Sequence, residues 1–205
     1  MAIKSLKHSS LTDNAFYRSV LAGNGAYFPV YESDDFLEEV VLSTAASSVT
    51  FSSLGTYATA GYKHLQIRMV TRADTSGFAG HYMQFNGDTS ANYTTHRLMG
   101  NGSSVSAYHY GTEDYIRLGD SERLTQSVAG AFAPTIVDLL DFASTTKTTT
   151  ARVLNGRTGG VSGASPRIEF HSGLWTSTNA VTSVLFKNYA NYVAGTRFSL
   201  YGSKA

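Results

Sequence analysis

The chain has no cysteine among its 205 residues. That excludes disulfide scaffolds, thiolate zinc sites and cysteine nucleophiles together, and leaves the redox compartment open. Charge is also sparse, with 15% charged residues and a formal net charge of +1. A general nucleic-acid binder would carry a basic excess, so none is expected as a partner. No apolar run approaches the roughly 20 residues of a membrane-spanning helix, so no membrane insertion is expected. Lys4 and Lys7 near the start have no apolar stretch behind them, so residues 1–11 do not read as a signal peptide. Proline occurs three times and tryptophan once. The Ala, Leu, Glu and Lys needed for long helices do not recur at a 3.6-residue period.

What is present is the vocabulary of strands and turns: Ser and Thr throughout, 13 Tyr, 11 Phe and 19 Gly. From Phe36 onward the sequence divides into short segments. They are 36–42, 48–54, 64–72, 81–85, 92–99, 105–110, 115–118, 131–142, 147–154, 167–171, 181–187 and 196–201. Segment 64–72 is the clearest, with Leu65, Ile67 and Met69 alternating with Gln66, Arg68 and Val70. Successive strand side chains point to opposite faces, so one face is expected buried and the other wet. Segment 167–171 sets Ile168 and Phe170 against charged neighbours, and 147–154 sets Ala151 and Val153 against Arg152 and Leu154. In 131–142, Val137 and Leu139 oppose Ile136 and Leu140, which predicts a central strand buried on both faces; Pro134 predicts an edge or bulge at its start. Asn86-Gly87 predicts a tight hairpin turn, Asn101-Gly102 a second turn, and Asn155-Gly156 with 158–163 a flexible loop. About eleven or twelve short strands imply an all-β fold, a jelly-roll-like or Greek-key sandwich, over residues 36–205.

Residues 1–35 differ. They lack a period-2 pattern yet carry Leu6, Leu11, Phe16, Tyr17, Leu21, Tyr27 and Phe28. Aromatics at this density seek burial, so the segment reads as an arm that orders against another surface. The plainer reading is a strand and loop over its own domain. Ser19 to Ala22 has the makings of one helical turn, ended by Gly23.

Catalytic patterns are weak. Gly160-Val161-Ser162-Gly163-Ala164 approaches a nucleophile elbow but ends in Ala and lacks the strand-to-helix context. Asp138 and Asp141 are expected to point in opposite directions. Glu113-Asp114 and Asp120 with Glu122 flank one short strand and could meet, although charged turns are far commoner than catalytic pairs. His81, His96 and His109 fall on consecutive strands and would have to share a face to bind metal; no metal-binding spacing supports that. No glycine loop joins a strand to a helix, so no cofactor is expected. The better candidate is a binding surface. Tyr108, Tyr110 and Tyr115 gather around Gly111 on an expected loop, and their flat rings with polar tips suit contacts to a glycan or a protein. The alternative is a Tyr-rich strand packed in the sheet. Trp175 is either a core plug or an interface anchor.

Several phrases together carry a resemblance: MAIKSLKHSSL, YKHLQIRMVTR, MQFNGDTSANYTTHRLMGNGSSV, IVDLLDFASTTKTTTARVLNG and VTSVLFKNYANYVAGTRFSLYGSKA. They are similar to small virion structural proteins of tailed bacteriophages, including those of cyanobacteria. The resemblance implies a non-enzymatic β-sandwich displayed on a particle, assembled in the host cytoplasm and attached through its N-terminal segment. It implies no catalytic residues. On this basis a head decoration protein whose arm docks on capsid subunits is expected. A tail-fibre or baseplate protein contacting host surface glycans is the alternative. A homo-oligomer, a trimer by first expectation, fits either.

Overall fold

The computed structural model describes residues 34–124, 128–158 and 166–204. The chain divides into two units, Met1–Ser33 and Asp34–Ala205, and the described residues belong to the second. The candidate arm residues Leu6 to Phe28 and the helical turn at Ser19 lie outside them. Among the described residues no helix is long and apolar enough to cross a membrane.

The fold is all-β, a sandwich of antiparallel sheets. Its strands are β1 (Asp35–Val41), β2 (Ala46–Phe51), β3 (His64–Ala73), β4 (Gly80–Phe85), β5 (Tyr93–Gly100), β6 (Val105–Glu113) and β7 (Ile116–Asp120). The rest are β8 (Glu122–Arg123), β9 (Ala133–Leu139), β10 (Thr149–Arg157), β11 (Arg167–Trp175), β12 (Val184–Tyr192) and β13 (Arg197–Ser203). The larger sheet runs β6-β5-β11-β10-β9-β3-β13-β1, and the smaller runs β2-β12-β4-β7. Residues His64 to Thr71 of β3 pair within the larger sheet, while Ala73 pairs with Tyr192 of the smaller. One strand thus turns the corner between the layers. The nested pairings of β1 with β13, β2 with β12 and β5 with β11 wind distant segments together in the manner of a jelly roll.

Between the sheets, Ile67, Met69, Val137, Leu139, Val153, Phe85, Phe186 and Phe198 close the apolar half of the interior. Trp175 is a core plug: its ring stacks on Tyr93, and its Nε1 donates to Asp88 Oδ2 at 2.8 Å. A short helix, α1 (Leu54–Thr59), seals one end with buried Leu54. Six residues are too few to show a helical period, so the sequence pattern gives no sign of it.

Several expectations change. Asn86 and Gly87 both take positive φ, as a tight turn requires, but the turn carries the chain from β4 in one sheet to β5 in the other and makes no hairpin. Asn155-Gly156 is not a loop; both residues lie in β10, and Asn155 is buried. Strand β9 is central but buried on one face only. Val137 and Leu139 point inward, Ile136 outward, and Leu140 lies past the strand's end and exposed. Pro134 pairs with Val70, beyond the last residue of β9 that pairs with β10, where its missing donor breaks no ladder bond. In β11 the alternation is inverted. Ile168 and Phe170 face out, whereas Glu169 and His171 face in.

β7 packs tightly across the larger sheet, and two glycines permit it. A side chain at Gly173 in β11 would collide with Ile116 of β7. A Cβ at Gly119 in β7 would lie 2.6 Å from the Asn155 carboxamide carbon, and φ there is +100°. Gly173→Ala is therefore expected to destabilise the protein by about 1–3 kcal/mol. Urea unfolding would measure this, and an unchanged midpoint would show that β7 moves aside freely.

Candidate functional site

The larger sheet extends past the smaller at its β5–β6 edge. The turn at Asn101-Gly102 makes β5 and β6 a hairpin, whose register sets Arg97 opposite Tyr108 and Thr95 opposite Tyr110. Tyr108 and Tyr110, two residues apart, turn to the same inward face. The smaller sheet stops at β7, so among the described residues nothing covers that face here, and Tyr108 is 45% exposed. Tyr108 and Tyr110 therefore sit on an edge strand rather than on the expected loop, whereas Tyr115 lies in the bend between β6 and β7.

Guanidinium groups lie against the rings, and the Tyr108 and Tyr110 rings stack on each other 6.3 Å apart. Arg97 lies 4.4 Å from the Tyr108 ring centre and 5.7 Å from that of Tyr110. Arg117 of β7 lies 4.2 Å from Tyr110 and 5.2 Å from Tyr115. The Tyr115 ring is 4.3 Å from Tyr82, which is 5.5 Å from Tyr189, and Tyr189 is 5.2 Å from Phe78. The result is one ladder of contacts, in which Arg97 and Arg117 lie against Tyr108, Tyr110 and Tyr115, and rings alone continue it through Tyr82, Tyr189 and Phe78 to β4 and β12. Burial and a hydrogen bond shared with Tyr189 push the Tyr115 hydroxyl well above its usual range, so it stays protonated. Burial opposes the charge on Arg117, but the Glu113 carboxylate outweighs it and raises the guanidinium further.

Beneath the ladder the sandwich interior is ionic. Glu169 accepts from His171 Nε2 at 3.0 Å, and lies 3.6 Å from Arg97 Nη1 and 3.7 Å from Arg167 Nη1. Asp120 lies 3.1 Å from Arg167, 3.5 Å from Arg157 and 3.9 Å from Arg123. Glu122 accepts from the Thr158 amide and hydroxyl. Burial pushes Asp120 up while its arginines pull it back. Burial also works on Glu169, yet His171 and the arginines overcome it and hold that carboxyl below the usual range. Asn155 Nδ2 donates to Thr135 Oγ1 at 2.7 Å and ties the cluster to the central strands. A cavity of about 20 Å3, lined by His81, His171, Asp120, Arg97 and Tyr115 among others, lies between cluster and ladder. It has room for about one water molecule.

The structure thus brings Tyr108, Tyr110 and Tyr115 together through arginines that the sequence reading did not single out. Arg97 was within reach, because counting back from the Asn101-Gly102 turn sets it opposite Tyr108. Tyr189 and Phe78 arrive through the long-range pairing of β12 with β4 and left no local signal. His81, His96 and His109 do not share a face. His96 and His109 stack, 4.4 Å apart, on the outer surface of the larger sheet, whereas His81 is buried between the sheets. Among the described residues no three metal-ligating side chains converge. The carboxylates weighed as catalytic are engaged elsewhere: Glu113 with Arg117, Asp138 with Gln66 and Arg152, and Asp141 with Lys147.

Burial, reinforced by nearby His171, lowers the His81 pKa from 6.5 to about 3. The unfolded chain therefore binds one more proton than the folded chain between those values. Stability should fall as pH drops through that window, by up to about 1.4 kcal/mol per pH unit. Unfolding midpoints of wild type and His81→Gln across that range test this; the same slope in both would contradict it.

No family model matches the chain, and no curated protein matches it. Among solved structures it is similar to the crystal structure of HCR/D-Sa-GBL1/C, at 9% identity and a TM-score of 0.26. The match covers 80% of this chain and 42% of that one, and a likeness so distant carries no argument about function.

Proposed function

We propose that the chain is a non-enzymatic bacteriophage virion surface protein, and that its tyrosine–arginine ladder contacts a saccharide on the host surface. The virion assignment is supported by the sequence resemblance. The contact rests on one observation: tyrosine rings and guanidinium groups lie against one another along a sheet edge that no described residue covers, held from below by a buried ionic cluster. Sugar rings present apolar C–H faces to aromatic rings and hydroxyls to phenol and guanidinium donors. Because Arg97 and Arg117 are already opposed by Glu169 and Glu113, the surface suits neutral hydroxyl-rich chains as well as weakly acidic ones. A non-enzymatic reading fits Glu113, Asp120, Asp138 and Asp141, whose carboxylates are tied to arginine, lysine or glutamine.

A second reading is head decoration, with Leu6, Leu11, Phe16, Tyr17, Leu21, Tyr27 and Phe28 anchoring residues 1–35 to capsid subunits. The observation favouring it is the aromatic content of that segment. Copy number on the particle separates the two, since decoration covers the whole shell and a receptor-binding protein occupies the tail alone.

The saccharide reading is tested with host-surface polysaccharide and the full chain in a calorimetric titration. Tyr110→Ala, in the middle of the ladder, is expected to weaken binding at least about tenfold with the melting temperature little changed. Equal affinity in wild type and variant would remove the ladder from the account.

A further inference from the structure

The outer face of the larger sheet is apolar where a solvent face should be polar. Cross-strand register lines up Ala107, Leu98, Phe170, Leu154 and Ile136 in one row across β6, β5, β11, β10 and β9. The adjacent row is Val105, Gly100, Ile168 and Gly156, continuing through Pro134 and Val70 on β9 and β3. From β6 to β9 neither row holds a charged side chain; on β3 the first row reaches Arg68, which lies 3.4 Å from Asp34. The exposures are large for such residues: Val105 74%, Ile168 69%, and Leu98 and Leu154 51% each. The row beyond them is polar but compensated within itself, with Arg152 3.5 Å from Asp138 and Gln66 donating to Asp138 at 2.8 Å.

We propose that this face is the contact between two copies of the chain, packed sheet to sheet about a two-fold axis. Three features identify a second copy as the occupant. The first is area. Six strands spaced about 4.8 Å apart, each roughly 30 Å long, present about 700 Å2, of which the two apolar rows form about half and the polar rows the rim. A standard interface takes about 800 Å2 from each partner. The second is shape. Ile168 stands between Gly100 and Gly156, where among the described residues an added Cβ would meet nothing closer than Pro134 at 3.9 Å. A protruding side chain flanked by two hollows complements itself under two-fold rotation, as an isologous contact requires. The third is charge: from β6 to β9 the rows repel no copy of themselves, and the bordering charges are already paired, Arg68 with Asp34 and Arg152 with Asp138. This pairing gives two copies rather than the three expected from the sequence. It leaves the ladder, on the opposite side of β6, free.

The test measures the mass of the full chain in solution by sedimentation equilibrium, with Leu154→Glu and Phe170→Glu beside wild type. Wild type is expected at twice the 22.1 kDa chain mass. Each variant buries an unpaired charge in the contact and is expected to raise the dissociation constant at least about 100-fold. Their circular dichroism should be unchanged, because both side chains point away from the core. Thr50→Glu, on the smaller sheet, should assemble as wild type does. A wild type of one-chain mass at every concentration would mean that something else covers the face, and would overturn the proposal. So would a three-chain mass, or variants that assemble as tightly as wild type.

Discussion

Two buried carboxylates organise one end of this sandwich. Glu169 and Asp120 lie between the sheets with almost no access to water, so each must be met by a cation at close range. The cations come from four strands or their ends: Arg97 on β5, Arg123 on β8, Arg157 on β10 and Arg167 on β11. Arg97 has two roles. One side of its guanidinium faces Glu169 in the interior, and its plane lies against Tyr108 and Tyr110 at the surface. The ladder is thus fixed in place by the interior's need for charge compensation. A surface built in this way is pre-organised, so little side-chain freedom is left to lose on binding.

The tight seating of β7 follows from the same requirement. Asp120 ends β7, and it reaches Arg157 and Arg167 because Gly119 lets the strand approach Asn155 and Gly173 makes room for Ile116. Arg117, two residues before Gly119, then reaches the β6 tyrosines, and its amide donates to Thr95 Oγ1 of β5 at 3.2 Å. Closure of the interior and assembly of the surface are one packing event.

Much of the strand pattern was legible, since alternation in β3 and β10 and the turn at Asn101-Gly102 are local signals. Alternation shows that a strand has two faces and leaves open which one turns inward. In β11 the usual rule fails, because Glu169 and His171 are satisfied by arginines brought from other strands, leaving Ile168 and Phe170 outside. No local pattern records those partners. The site was legible to the same extent. Tyr108, Tyr110 and Tyr115 stand close in sequence, and the hairpin register supplies Arg97. Arg117, Tyr82 and Tyr189 join them only through β7 crossing the larger sheet and β12 pairing with β4.

The central claim is that Arg97 joins the buried charge to a saccharide-binding ladder, and Arg97→Lys tests it most directly. Lysine keeps the positive charge near Glu169 but loses the flat guanidinium that lies against two rings. Titration of wild type and variant with host-surface polysaccharide, beside their thermal unfolding, gives both readouts. The account predicts a folded variant with little change in stability and binding weakened about tenfold or more. A variant that binds as tightly as wild type would contradict it.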